Sequence, residues 1–404
     1  MRRPTAPLLR CALILGLLLA SVSCGGPERS KVTIMVPWSG TEFQAFYAVV
    51  KDFERGHPGI DVEPQVTRAL TQQLDAAVGA DAKPDLAVLP SVGAITKYRR
   101  EGALRRLDVD TSAYVQPFRA LGMHDGDVYA VPVKADLKSL IWYDARSTAA
   151  PSPEWSGHHR WCLGLESGPT SGWPGADWIA DLVLSDAGVD TYTDWATGNA
   201  EWAQGPVRDA WHAWGNLVGA GLKGATTRDF RQAANSKDAK GCALSHGSLS
   251  AMPFRSAQVS DDQYTYVPSS RKALEVSADF VGKFTRNDGA DAFITYLAST
   301  AAQRTWVNEP GFAVSANRKV TEYDNATQGR IAGILRSPDF ALCFSAADAM
   351  DPDVSAAFYR AVLDYANDKE PGPLLAALDK VQQQLGYRSR KSAPTPLCST
   401  PEPR

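Results

Sequence analysis

Apolar positions along this chain switch repeatedly between the period of a strand and the period of a helix. Lys31 to Val36 is a short β-branched run that reads as a strand, and Pro37, Trp38, Ser39 and Gly40 break it. Phe43, Phe46, Tyr47, Val50 and Phe53 then recur at helical spacing, giving one apolar face that ends at Gly56. Strand signals return at Ile60 to Val66 and at Leu86 to Leu89, with a helical stretch from Thr71 to Gly79 between them. Val92 to Glu101 adds a helix that Gly102 stops. The order β, α, β, α, β predicts a parallel sheet covered by helices.

The middle of the chain follows a different rhythm. Tyr129 to Val133 and Ser139 to Tyr143 are both strand-like and nearly continuous, separated by a few polar residues. Trp161 to Glu166 predicts another strand, followed by a Gly- and Pro-rich loop to Gly175 and a helix carrying Trp178, Ile179, Leu182 and Val183. Pro206 opens a helix whose Val207, Ala210, Trp211, Trp214, Leu217 and Val218 share a face. Short strands are expected at Ala243 to Ser245 and Tyr264 to Val267. Helices follow near Asp291 to Leu297, Ala302 to Trp306, Ile331 to Leu335, Ala356 to Tyr365 and Leu374 to Leu385, the last stopped by Gly386. Residues 387–404 are rich in Pro and Ser and are expected to be an irregular tail, apart from a clamp at Cys398.

The start of the chain changes the setting. Arg2, Arg3 and Arg10 precede an apolar run from Cys11 to Ala20, and small residues Ser21, Val22 and Ser23 lead to Cys24. A basic start, a short apolar core and small residues before a cut are the parts of a secretory signal. The run is too short for a membrane span, which takes about 20 residues. Residues 1–23 therefore read as a signal peptide and 24–30 as a lipidated tether, although Ser21 stands where a lipobox most often has Leu. The formal net charge of −3 becomes more negative once three arginines leave, so neither nucleic acid nor an anionic surface is an expected partner. With Cys24 acylated, Cys162, Cys242, Cys343 and Cys398 remain for two disulfides outside the cytoplasm. Three connectivities are open; Cys162 with Cys242 and Cys343 with Cys398 keeps each bridge local.

Candidate chemistry centres on tryptophan. Eight of the eleven tryptophans lie between Trp155 and Trp214, and helical spacing assigns Trp178, Trp211 and Trp214 mostly to packing. Trp38 and Trp173 sit instead in turns where strand hands over to helix, the end at which α/β sheets bind ligands. An indole exposed there is a flat platform for the C–H face of a sugar, and burial as a core cap is the competing reading. Glu42, Glu166 and Asp177 lie near the same turns. They suit sugar hydroxyls, or the acid and base of a glycosidase, while Asp177 also suits a helix start. His158, His159 and Cys162 lack a matching ligand pair, so no metal is expected. No Gly-x-Ser-x-Gly elbow, phosphate loop or dinucleotide glycine pattern is present, and no cofactor is expected.

Taken in order, the segments VTIMVPWSGTE, KDFERGHPGIDVE, PDLAVLPSVG, GDVYAVPVKADLKSLIWYDA and WCLGLESGPTSGWPGADWIADLVLSDAG give the chain a family likeness, extended by DTYTDWATG, YTYVPSS, GFAVSANRKV and DAMDPDVSAAFYRAVLDY. It resembles the extracytoplasmic solute-binding lipoproteins of bacterial ABC importers, in the carbohydrate group similar to maltose- and α-glucoside-binding proteins. The resemblance implies a periplasmic-binding-protein-like type II fold, two α/β lobes joined by hinge strands with a ligand cleft between them. It divides the chain into a first lobe of residues 31–133 and 267–308 and a second of residues 136–253 and 312–386. Crossings are implied around Lys134 to Leu137, before Tyr264 to Val267, and near Asn308 to Val314. Matched by segment, the first lobe offers Trp38, Glu42 and Ser91, the crossing offers Asp136, and the second lobe offers Glu166, Trp173, Asp177 and Tyr359. Where the family often presents an aromatic after the strand at Cys242, this chain has Gly247, Ser248 and Leu249.

The reading that follows is a lipid-anchored extracytoplasmic receptor, a monomer and not an enzyme. It captures a carbohydrate such as an oligosaccharide or α-glucoside and delivers it to the transmembrane subunits of an ABC permease. The alternatives are a secreted lipoprotein glycosidase using paired carboxylates, and a structural or signalling lipoprotein that kept the fold and lost the ligand. The anchor makes a separate prediction: Cys24→Ser releases the protein into the medium, measured by fractionation, and leaves sugar binding unchanged.

Overall fold

A computed structural model describes residues 29–151, 161–233, 242–368, 370–389 and 396–399. The expected signal peptide, Cys24, His158 and His159 lie outside the described residues. β1 (Ser30–Val36) and β2 (Ile60–Val66) pair in parallel from Ser30↔Ile60 to Val36↔Val66, and β3 (Leu86–Leu89) flanks β1 on the other edge. Between them run α1 (Gly40–Gly56) and α2 (Leu70–Gly79), and α3 (Val92–Arg100) follows β3. The inward face of α1 is Ala45, Phe46, Val49, Val50 and Phe53. Tyr47 is exposed and stacks on Phe43.

The crossing between lobes is a two-stranded ribbon. After α4 (Phe118–Leu121) and the hairpin of β4 (Met123–His124) with β5 (Asp127–Val128), β6 (Ala130–Leu137) leads towards the second lobe. Its antiparallel partner is the long β10 (Ala273–Lys283), paired from Val276↔Leu137 to Gly282↔Ala130 with a register shift at Asp279/Phe280. On its other edge β10 carries the parallel β11 (Ala341–Phe344) at its start and β3 at its end, so one strand serves both sides of the cleft. Val314 supplies a third pass, its carbonyl accepting from the Ala135 N–H at 2.7 Å.

β7 (Leu140–Asp144) begins three residues after β6 ends and joins a second, antiparallel sheet between β8 (Leu244–His246) and β9 (Tyr264–Pro268). Tyr264 to Pro268 therefore lie on the β7 edge, and the crossing follows this strand through β10 instead of preceding it. The expected strand at Trp161 to Glu166 is reduced to isolated bridges, Trp161↔Leu244 and Glu166↔Asp229. Its backbone groups bond several different partners, with Leu165 N–H going to Ala225 O and Glu166 N–H to Arg228 O.

Helices cover both lobes. α5 (Trp173–Ala196), broken at Gly188, packs on α6 (Gly205–Val218), while α7 (Ser256–Ser260) lies against β9. α8 (Asp288–Ala298) and α9 (Thr300–Asn308) return to α1, and α10 (Ala326–Leu335) packs on α7. α11 (Ala346–Ala349) and α12 (Pro352–Asp368) pack on α5, and α13 (Pro371–Ser389) packs on α12 and α6. The tryptophan crowding is largely core: Trp195, Trp202, Trp211 and Trp214 are fully buried, and Trp202 meets Phe358 edge-on at 4.9 Å.

Helix α13 continues through the expected stop at Gly386 to Ser389. Beyond it, Phe344 N–H donates to Leu397 O and Ser399 N–H to Leu342 O, adding a short antiparallel segment to β11. Disulfides join Cys162 to Cys242 and Cys343 to Cys398, at sequence separations of 80 and 55. Closing a loop of that second length reduces the entropy of the unfolded chain by an amount equivalent to about 4 kcal/mol. Replacing Cys343 and Cys398 together by Ala is expected to lower unfolding free energy by up to about that amount, measured by denaturant titration.

Candidate functional site

Three segments on one side and four on the other converge on a cavity of about 740 Å³, within the range of small-molecule sites. Glu42 lies in the first turn of α1 and Ser91 N-caps α3, its Oγ accepting from Ala94 N–H at 3.0 Å. Both follow the ends of parallel strands, where loops open and ligands gather. Side chains alternate along β6, so Lys134 and Asp136 share a face. Register puts Asp279 opposite Lys134 and Ser277 opposite Asp136, which completes the floor.

The facing wall depends on one glycine. Gly172 has φ +105°, and a Cβ there would fall 2.2 Å from the Tyr359 carbonyl oxygen. Lacking one, the chain brings the first turn of α5 against α12, so Trp173 and Tyr359 enter the same wall. Phe230 meets Trp173 edge-on, ring centres 5.0 Å apart.

Charge in the cleft is paired internally. Lys134 donates to Glu42 Oε1 at 2.8 Å and lies 3.5 Å from Asp136 Oδ2. Arg231 donates to Glu42 Oε2 at 2.8 Å. Lys138 donates to Asp177 Oδ1 at 2.8 Å, Asp348 Oδ2 at 3.1 Å and Ser345 Oγ at 3.2 Å. Ser250 Oγ donates to Asp136 Oδ1 at 2.6 Å. Burial works against the charge on both lysines, yet Asp136, Glu42 and Asp279 around Lys134, and Asp177, Asp348 and Glu275 around Lys138, raise their proton affinity above the ordinary value. Burial likewise pushes Glu42 up, but Lys134 and Arg231 outweigh it and hold the carboxyl below its usual range. Asp279 goes the other way: burial dominates over Lys134 and pushes it up to about 6.

Of the residues singled out from sequence, Glu42, Ser91, Asp136, Trp173 and Tyr359 line the cavity together. Three are placed elsewhere. Trp38 is no platform: it is 4% exposed, packs edge-on to Trp306 at 5.0 Å, and donates its indole N–H to Asp279 Oδ2 at 2.9 Å. It supports the floor from below. Asp177 is buried beneath the floor as a partner of Lys138. Glu166 turns back on its own loop, Oε1 accepting from Gly168 N–H at 2.9 Å, and steadies the approach to Gly172.

Lys134, Lys138, Phe230, Arg231, Asp279 and Asp348 also line the cavity and were not singled out. The alternation Lys-x-Asp-x-Lys at 134–138 was a usable signal, since charges on every second position of an apolar strand demand partners. Phe230 and Arg231 sit in a single 3₁₀ turn, Phe230–Gln232, that no periodicity marks. Ser248, which stands where the family often presents an aromatic, reaches the cavity together with Ser250. Phe254 does not replace that aromatic, because it stacks on Tyr264 at 4.1 Å in the second sheet. Cys162 is in its disulfide, and among the described residues no group of three or more His, Cys, Asp and Glu could hold a metal.

Comparison with known proteins places this geometry in a context. A family model for bacterial extracellular solute-binding proteins matches residues 37–304. The osmoprotective compounds-binding protein GgtB of Synechocystis sp. is 26% identical over 408 residues, covering 90% of this chain and 96% of its own. The alpha-glucosides-binding periplasmic protein AglE of Rhizobium meliloti is 26% identical over 404 residues, covering 88% and 87%. Among solved structures, a chitin oligosaccharide binding protein superposes with a TM-score of 0.72 at 16% identity, covering 88% of this chain and 99% of that one. Maltose-bound T. maritima MalE3 gives 0.66 at 15% identity, covering 88% and 99%. These likenesses show the two-lobed fold.

The raised proton affinity of Asp279 has a stability consequence with a definite sign. The folded state holds this proton more tightly than the unfolded chain does, so its contribution favours folding below about pH 4 and is lost between about pH 4 and pH 6. Asp279→Asn keeps an acceptor for Trp38 and removes the titration. Its stability relative to the unaltered protein is expected to improve by up to about 3 kcal/mol between pH 4 and pH 7, read from urea unfolding at each pH.

Proposed function

The chain belongs to the bacterial extracellular solute-binding proteins, and from that premise we propose that it captures a neutral carbohydrate in the cleft and delivers it to the permease of an ABC importer, without transforming it. The observation that carries this reading is a cleft in which every lysine and arginine reaching the floor already faces a carboxylate, beside a wall of Trp173, Phe230 and Tyr359. A charged solute would have to displace one of those partners and strand a buried charge, at several kcal/mol. A neutral polyhydroxylated solute loses nothing of the kind. Its hydroxyls find acceptors on Asp136 and Asp348 and donors on Lys134, Lys138 and the serines, while its C–H faces lie on the aromatic rings.

The relative named for alpha-glucosides, and the solved structures named for chitin oligosaccharide and maltose, support the same class. We place Cys24 as a lipid anchor and residues 24–30 as its tether, which keeps the receptor at high local concentration near its permease. The lobe boundaries at 133/136 and 308/312 belong to the same proposal; the middle one, expected at 253/267, moves into β10, because Tyr264–Pro268 pair with β7. A glycosidase reading draws on one observation, the raised proton affinity of Asp279 beside Glu42 and Asp136. Against it, Lys134 and Arg231 hold the Glu42 carboxyl below its usual range, which makes it a poor proton acceptor.

Capture is tested by titrating the mature protein with neutral mono-, di- and oligosaccharides while following tryptophan fluorescence and melting temperature. At least one sugar is expected to raise stability by about 2.7 kcal/mol at a hundredfold excess over its Kd. Trp173→Ala is expected to weaken that sugar at least tenfold. Indifference to every sugar overturns the receptor reading, and release of aglycone from aryl glycosides would instead favour the hydrolase.

A further inference from the structure

Glu42 and Arg231 stand on opposite sides of the cleft, 189 residues apart in sequence, yet their side chains meet at 2.8 Å. Glu42 is rooted in the first turn of α1, against the first sheet. Arg231 is rooted on the far side: its turn is fixed by Asp229, whose Oδ1 accepts from Arg231 N–H at 2.8 Å, and by Phe230 N–H donating to Glu166 O at 3.2 Å. Lys134 on the crossing strand occupies Glu42 Oε1 and leaves Oε2 directed across the cleft. Arg231 also lies over the Phe230 ring, with Cζ 5.2 Å from its centre, and Phe230 is packed on Trp173. One carboxylate thus ties the crossing strand, the first lobe and the aromatic wall of the second.

We infer that the Glu42–Arg231 pair is a latch that holds the cleft closed in the absence of solute. The inference rests on the receptor reading only in supposing that closure serves capture. Opening the cleft must separate these two groups, because each is fixed to its own lobe by independent bonds. The latch is weak by construction: Glu42 is 17% exposed in its side chain, but Arg231 is 40% exposed, so water and salt compete for it. A weak latch biases the population of closed molecules without trapping them. It also sets Phe230 in place before a ligand arrives, since the guanidinium contacts both the ring and the carboxylate.

The test needs no sugar. Spectroscopic labels at Gln44 on α1 and Asn216 on α6, both exposed, report the distance between lobes by pulsed electron resonance. In ligand-free protein at low salt, Arg231→Gln is expected to shift the closed-to-open ratio roughly two- to fivefold towards open. Arg231→Lys should recover part of that shift, and 1 M salt should open the unaltered protein while leaving Arg231→Gln unmoved. If Arg231→Gln fails to fold, Glu42→Gln reports the same loss from the other side. Identical distance distributions in the unaltered protein and the variants, or no response to salt in the unaltered protein, overturn the latch. A failed sugar titration leaves this result standing, so the two readings fall separately.

Discussion

Two lysines four residues apart, buried at the junction of the lobes, impose the constraint from which the rest of the cleft follows. An ammonium group taken out of water is tolerated only with opposite charge and hydrogen bonds close by. Lys134 therefore draws in Glu42 from α1, Asp136 from its own strand and Asp279 from β10, while Lys138 draws in Asp177 from α5 and Asp348 from α11. Those carboxylates come from both lobes and from the ribbon between them. The electrostatic needs of one short segment thus fix the relative placement of elements that are distant in sequence.

The ribbon makes that placement repeatable. β10 carries β11 at its start and β3 at its end, with β6 along its other edge, so each lobe is anchored to the same strand. The floor residues of the cavity lie on this ribbon, whereas the walls come from α1 and α3 on one side and from α5, α12 and the Phe230 turn on the other. A solute sees a floor common to both lobes and walls that belong to one lobe each. Recognition and lobe position are consequently properties of the same residues.

Most of the fold was legible in the chain because its elements are locally determined. The run from Lys31 to Val36, the helical face at Phe46, Val50 and Phe53, and the near-continuous strands on either side of Lys138 all carry their own periodicity. Trp38 was not legible. Its turn suggested an exposed indole, but its environment is set by Trp306 and by Asp279, 241 residues away. Asp177 failed for a related reason, since its role depends on Lys138. Trp173 and Tyr359 do share the cavity, but the glycine that allows it acts through a backbone approach that no spacing reveals. Phe230 and Arg231 had no pattern to carry them. Periodicity reports what a residue does within its own element, and a cleft is made of what elements do to one another.

The segment at Leu397 to Ser399 gives the molecule an order in time. It follows every other described element in the chain, yet it completes the outer edge of β11, whose inner edge is β10. Synthesis and export deliver a chain from its N-terminus, so the two lobes and the ribbon can assemble before this last strand partner has emerged. The outer edge of β11 is therefore the last strand pairing that the chain order makes available. Cys398 then bonds to Cys343 only where thiols are oxidised, which makes the covalent fixing of that edge depend on the redox setting in which the chain folds.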